Sequence, residues 1–412
     1  MINKQRTNKA LAAAIAAIIA PVPITMTTTI VHAQEGTLEE VVVTARRREE
    51  SLQEVPLAIT AFTGDELEAA GIDMIGQLNA RAPNLNVLGG SGRGVESQAN
   101  FRVRGVPGVA VYVDGIDQAD NTGLFTMGVL EVERIEVMRG PQGTLFGNAS
   151  LGGAVQYVSR QPGEDFGGRV QVRTGSFNRR DLIANVDVPL TDNIRTKFTM
   201  ADLSRDGFIT SLDSGRKYGD INDTFYRADF MFTPTDSLSI RYSYDTSEQD
   251  RQGGARAVFE IGPKAVFDVG GVQVNSNAAA QAYENAFGIL YDDQNAATAY
   301  PGGVLGEFDT RVSHETPGFY LDMSRHTLDI TYDINDNFTF RSLSGRREIN
   351  RRLMIDFDAH SQVDFANRQD NDRIEEQSQE FQLIGTHGDN EQFSWIVGAY
   401  SWEDDDLSRF PT

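Results

Sequence analysis

The sequence predicts a compact α+β domain followed by an antiparallel transmembrane β-barrel, incomplete here at about nine strands. Three observations carry that fold class. The chain opens with an export signal. From Gly168 onward, apolar and polar residues alternate with a period of two. The connections between alternating segments are short at one end and long at the other. Composition agrees: 39 glycines and 23 phenylalanines among 412 residues favour turns and strands. With 37 basic and 59 acidic residues the net charge is −22, which opposes nucleic-acid binding. There is no cysteine, so disulfide scaffolds, thiolate metal sites and cysteine nucleophiles are excluded.

Residues 1–33 read as a signal peptide. Lys4, Arg6 and Lys9 precede the apolar run Ala10 to Ala20, too short to span a bilayer as a helix. Val31-His32-Ala33 is a small-residue cleavage site before Gln34. Residues 34–50 form an N-terminal tag. Within it Glu40, Val41, Val42, Val43, Thr44 and Ala45 make a β-prone hexapeptide before a run of three arginines. Such a segment can add as a strand to a partner's sheet edge. It can equally be the first strand of the next domain, and periodicity does not separate the two.

The compact domain covers residues 51–162. Asp65 to Ala70, closed by Gly71, reads as a short helix. A second helix is expected within Ile72 to Ala82, stopped by Pro83. Short strands follow at Phe101 to Gly105, Val109 to Val113 and Ile135 to Gly140, bounded by Gly and Asp turns. The glycine-rich stretches at 89–94 and 140–143 lack the Gly-Lys-Ser/Thr of a phosphate cradle and read as turns.

The segment EEVVVTARRREESLQEVPLAITAF, from Glu39, resembles the energy-coupling box and plug entry of TonB-dependent outer-membrane receptors. FRVRGV, VAVYVDGI and ERIEVMRGPQGTLFGNASLGGAVQYVSRQP are similar to the plug motifs of that family, in the family's order. One departure is Asn148 after Gly147, where an arginine is common, so a role resting on that arginine does not transfer. The resemblance implies a plug inside a barrel, and charge contacts between plug and barrel from Arg134, Glu136 and Arg139. It also implies an outer-membrane location in a Gram-negative bacterium and energised import of a scarce ligand such as an iron–siderophore complex. Sugars, haem and vitamin B12 are open alternatives. A TonB-type energy-coupling protein of the inner membrane, pairing with residues 40–45, and outer-membrane lipid are the implied partners. No cofactor is implied. With the tag so close to the cleavage site, an additional N-terminal signalling domain is not expected.

In residues 168–412, Tyr226 to Phe232, Leu238 to Tyr244, Leu328 to Ile334 and, more loosely, Phe393 to Ala399 place apolar residues at every second position. Strands are expected to start near 168, 181, 194, 224, 238, 321, 338, 376 and 393. Turns at 189–195, 233–241 and 333–341 share a Thr or Asn followed by Asp, whereas 206–223, 251–318 and 353–374 are long. That sidedness fits a membrane barrel better than a sandwich. Nine strands cannot enclose the plug, since plugged transporters use about 22. The sequence is therefore read as the N-terminal part of a longer receptor, or a truncated product.

No catalytic or metal-binding constellation is found. His314, His326, His360 and His387 show no ligand spacing, and His326 is expected in the lumen or at an interface. The acidic run Glu403 to Asp406 is expected at a solvated strand end rather than on a divalent cation. Ligand-binding candidates at the plug apex are Arg93, Asp117, Asp120 and Asn121, chosen because they fall in turns. The 251–318 loop carries eight acidic and four basic residues, which does not favour a strongly anionic ligand. The alternative readings are an exported carbohydrate-binding or adhesive β-protein and a non-functional truncated receptor fragment.

Overall fold

The structure is a computed structural model. It describes residues 42–44, 50–89, 99–124, 130–143, 150–211, 215–252, 266–275, 309–310, 318–356, 367–387 and 393–409, apart from 54, 56, 270 and 271. The signal peptide, Glu40, Val41, Ala45, Arg93, His314 and His360 lie outside the described residues.

The tag contributes β1 (Val42–Val43), paired antiparallel with β2 (Glu50–Ser51). It is therefore not a strand of the plug's main sheet. That sheet has five strands: β3 (Ile59–Thr63), β6 (Val109–Val113), β7 (Ile116–Asp117), β8 (Val132–Arg139) and β9 (Gly153–Ser159), in the order β3-β8-β9-β6-β7. A hairpin of β4 (Leu85–Gly89) and β5 (Ala99–Val103) stands apart from it. Helix α1 (Gly64–Ala69) starts on a capping box, Thr63 Oγ1 accepting from Glu66 N at 3.2 Å and Glu66 Oε2 accepting from Thr63 N at 2.9 Å. It ends at Gly71 in the left-handed region. The second helix is shorter and tighter than the sequence suggests, a 3-10 helix over Ile75–Ala80. Gln77 Oε1 takes up Asp73 N and Met74 N just before it.

One face of the plug sheet, with Val111, Ile135, Val137, Val155 and Tyr157, packs on Leu67, Ile75 and Leu78. The opposite face presents Tyr112, Met138 and Ala154 together with Glu136 and Gln156. Gly153 has φ +145, and a Cβ there would sit 2.2 Å from the Met138 carbonyl oxygen. Gly153→Ala is expected to cost the plug roughly 3 kcal/mol, because both the backbone angle and the close approach oppose it. Faster cleavage of this domain by trypsin in the purified protein is the readout.

The second region is one nine-stranded antiparallel sheet. Its strands are β10 (Gly167–Gly175), β11 (Arg179–Thr191), β12 (Ile194–Arg205), β15 (Ile221–Thr235), β16 (Leu238–Arg251), β20 (Gly318–Asn335), β21 (Phe338–Asp356), β22 (Asn367–His387) and β23 (Phe393–Arg409). The intervening β13 (Ile209–Ser211), β14 (Lys217–Tyr218), β17 (Val266–Val269), β18 (Val272–Asn275) and β19 (Asp309–Thr310) belong to the long connections. Two-residue turns at 192–193, 236–237 and 336–337 occupy one end. The side chains that precede them shape two of these turns: Thr191 Oγ1 accepts from Asn193 N, and Asn335 Oδ1 from Asn337 N and Phe338 N. The turn at Phe177-Asn178, both at positive φ, is a short connection at the other end.

Side chains alternate between a plug-facing side and an outward side. The outward side carries Phe230, Phe232, Tyr242, Tyr332, Ile334, Phe381, Leu383 and Val397, all exposed. This apolar band crosses the strands obliquely. On β15 its outward run, Tyr226 to Phe232, centres on residue 229, which the register carries through Ser243, Thr327, Gly345 and Ser378 to Trp402 on β23. On β23 the outward run, Trp395 to Ala399, centres on 397, a slip of five residues over five strand spacings. At about 3.3 Å per residue and about 4.8 Å per strand, this is a tilt of roughly 35° from the band's normal. Membrane barrels tilt their strands by that amount. His326 belongs to the outward side, not the lumen. Its Nδ1 lies 2.8 Å from Tyr242 Oη, and its ring centroid is 4.7 Å from that of Tyr244. Among the described residues no helix is long and apolar enough to cross a membrane.

Candidate functional site: the plug–barrel seam and the tag

The plug rests against the sheet through arginines that each hold the plug and the barrel at once. Asp114-Gly115 forms the two-residue loop between β6 and β7, Asp114 at φ +50, a conformation Asp and Gly accept. This loop aims the Asp114 carboxylate at the barrel. It accepts from Ser159 N at 2.8 Å, Ser159 Oγ at 2.7 Å and Arg227 Nη2 at 3.0 Å. Arg227 also donates to Asp229, at 2.7 Å through Nε, on its own strand. Burial alone would raise the Asp114 pKa, but Arg227 and Arg241 outweigh it and hold the carboxyl well below the usual range.

The loop from Ile116 to Leu124 repeats the arrangement higher in the barrel. Arg347 donates to Gln118 Oε1 at 2.7 Å and to Glu376 Oε2 at 2.9 Å. Arg351 reaches Asp120 Oδ2 at 3.1 Å and Thr122 Oγ1 at 2.8 Å, and pairs with Asp372 through Nε at 3.0 Å. Burial would raise the Asp120 carboxyl too, yet Arg351 and Thr122 lower it. Apolar contact seals the same loop. Gly345 leaves space on β21 where Ile116 presses in, a Cβ there falling 2.7 Å from Ile116 Cγ2. Gly123 lies against Leu321 and Met323.

Nearer the first strands, Glu131 pairs with Lys197 at 3.3 Å, and Asp73 with Arg173 at 2.8 Å and Arg179 at 2.6 Å. Glu68 meets Arg169. These pairs border a cavity of about 330 Å³ between α1 and β10–β12.

Of the sequence candidates, Asp120 enters the seam through Arg351. Asp117 pairs with Tyr112 in the hairpin, and Asn121 accepts from Ala99 N at 3.4 Å through its carbonyl. Arg134, Glu136 and Arg139, expected between plug and barrel, bond within the N-terminal region instead. Arg134 donates to Glu136 at 2.8 Å and to Glu133, and Arg139 to Thr60. Glu136 holds the tag: Thr44 N donates to its Oε1 at 2.8 Å and Thr44 Oγ1 at 3.1 Å. Val43 is fully buried. Glu403 to Asp406 alternate sides along β23, so neighbouring carboxylates in the run point to opposite faces.

Sequence reasoning missed Asp114, Gln118, Arg227, Arg347, Arg351 and Glu376. A signal existed for the barrel members. Arg227, Asp229, Asp245, Arg325 and Arg347 all occupy the positions that alternate with the apolar band, where a charge has to face the lumen.

A family described as TonB-dependent Receptor Plug Domain matches residues 51–154. The chain is similar to the hemin receptor of Yersinia pestis, 34% identical over 157 residues, covering 35% of this chain and 22% of that protein. It is 25% identical over 465 aligned residues to the vitamin B12 transporter of Vibrio vulnificus, covering 96% of this chain and 74% of that one. In fold it is similar to the ferric yersiniabactin uptake receptor of Yersinia pestis, with TM-score 0.64 and 18% identity over 86% of this chain and 50% of that one. The siderophore receptor of Acinetobacter baumannii gives TM-score 0.66 and 12% identity over 90% and 48%. The chain thus spans about half the length of these solved receptors.

Proposed function

We propose, from the premise that this chain belongs to the TonB-dependent outer-membrane receptors and carries their plug and part of their barrel, that it serves energised import of an iron–siderophore or haem-type ligand. The observation that carries the reading is the tag. A β-prone segment is held by a two-residue pairing with Glu50–Ser51 and a few hydrogen bonds to the plug sheet, while the plug is tied to the wall by shared arginines. A tag held so lightly can be exchanged for a partner's strand, and main-chain pairing gives grip with few side-chain demands.

In this reading ligand binds above the plug apex, where Asp117, Asn121 and Arg93 are the candidate contacts, with Asp120 committed to Arg351. A TonB-type partner of the inner membrane then pairs with residues 40–45 and pulls. The ligand class follows the relatives, several of which are named for hemin, ferrioxamine B or yersiniabactin. The test is uptake of iron-55 ferrioxamine B and of hemin by cells lacking their own receptors and carrying the full-length gene. Uptake of one of them that stops when the proton-motive force is collapsed supports the reading. Uptake that persists without energy, or the absence of both binding and uptake, opposes it.

A further inference from the structure

Beside the β1–β2 pairing, the described part of the tag is held by a polar anchor built into the plug sheet. Ala61, Glu136, Gln156 and Tyr112 form a row across β3, β8, β9 and β6 by register. Thr44 lies over this row. Its N–H and hydroxyl both donate to Glu136 Oε1, and Gln156 Nε2 donates to Thr44 Oγ1 at 3.0 Å. Arg134 Nε donates to the same carboxylate oxygen at 2.8 Å. Glu136 is fully buried; among the described residues its Oε2 and the neighbouring Gln156 Oε1 have no hydrogen-bond partner. One oxygen therefore carries three donors, two of them from Thr44.

A two-residue strand pair does not hold in water by itself. The pairing of Val42–Val43 with Glu50–Ser51 thus needs the anchor beside it. Hydrogen bonds to a carboxylate are about twice as strong as neutral ones. They are also reversible here: when Thr44 leaves, Arg134 remains on Glu136 and water replaces the lost donors.

We propose that Glu136 is the positioning residue that keeps segment 42–44 on the plug and sets how often that segment is free for a pulling partner. This rests on the transport reading for its purpose, but the latch itself can be measured without ligand or partner. Val43 is the reporter, being buried while latched, and the chain has no cysteine to confuse labelling.

In the full-length receptor, Val43→Cys is expected to react with a maleimide–polyethylene glycol slowly. Adding Glu136→Ala should speed the reaction roughly tenfold or more, the equivalent of one or two charge-assisted bonds. Glu136→Gln, which keeps the shape and one acceptor, should fall between. A second reporter, Leu67→Cys in the plug core, should stay protected throughout. Unchanged Val43→Cys labelling in Glu136→Ala, with Leu67→Cys protected, overturns the latch. If Leu67→Cys also becomes reactive, Thr44→Val decides, because it alters only the tag: unchanged labelling there overturns the proposal as well. Faster labelling with no change in uptake leaves the latch standing and counts against the transport reading alone.

Discussion

Under the proposed import function, Val42→Pro in the full-length protein is expected to abolish energised uptake while leaving ligand binding at the parent level. Proline has no N–H and a fixed φ, so it removes a main-chain donor from the short strand a partner has to join. Val42 is partly exposed, at 38%, and takes no part in the plug core, so the plug should fold normally. The barrel-facing loops are remote from the tag in the chain and keep their contacts to Arg347 and Arg351. The expected loss is complete within the sensitivity of an uptake assay, against a change of less than about twofold in the dissociation constant, because no ligand contact is altered. Parental uptake by this variant would remove strand pairing at the tag from the mechanism.

Arg227→Met is expected to destabilise the receptor by roughly 3–5 kcal/mol, the usual penalty for removing one partner from a buried charge cluster. Arg227 sits among Asp114, Asp229 and Asp245, all buried or nearly so. Without it, Asp229 keeps Arg241 at 2.9 Å and Asp245 keeps Arg325 at 2.9 Å, whereas among the described residues Asp114 keeps the Ser159 N–H and hydroxyl as its donors. The plug therefore loses more than the wall does. Asp114→Asn is the contrast, expected to cost about 1–2 kcal/mol, since Arg227 retains its barrel carboxylates. Thermal unfolding and tryptic release of the plug from the purified receptor measure both.

The pH dependence has a definite sign. The Asp114 pKa is depressed below the usual 3.8, so its contribution is complete above that value and is lost only as pH falls through the lower, folded one. Acidification to pH 5 should leave the parent plug in place. In Arg227→Met the depression shrinks, and plug release should begin at milder acidity.

The sharing of arginines would also lower the cost of undocking the plug in the proposed transport. Arg227, Arg347 and Arg351 each keep a barrel carboxylate when the plug acceptor departs. No buried cation is then stranded, and the main electrostatic cost of undocking is avoided.

Local rules in the sequence determined much of this protein. Period-two alternation and the turn signals located the nine strands in order, although β22 begins at Asn367 rather than near 376, inside the stretch 353–374 read as a long connection, and Thr or Asn before Asp marked three of the turns. Asp65 to Gly71 marked the helix, and Asp114-Gly115 the hairpin loop. Each depends on residues a few positions apart, whose conformational preferences act without reference to the rest of the chain. The partners of the charges were decided only by the tertiary structure. Glu136 faces the tag rather than the barrel, and Arg351 finds Asp120 across 231 positions. His326 turns outward beside two tyrosines, although the alternation of its strand is legible in the sequence. A buried charge takes whichever counter-charge strand register and plug docking bring within hydrogen-bond reach, and neither of those is written in any local stretch of sequence.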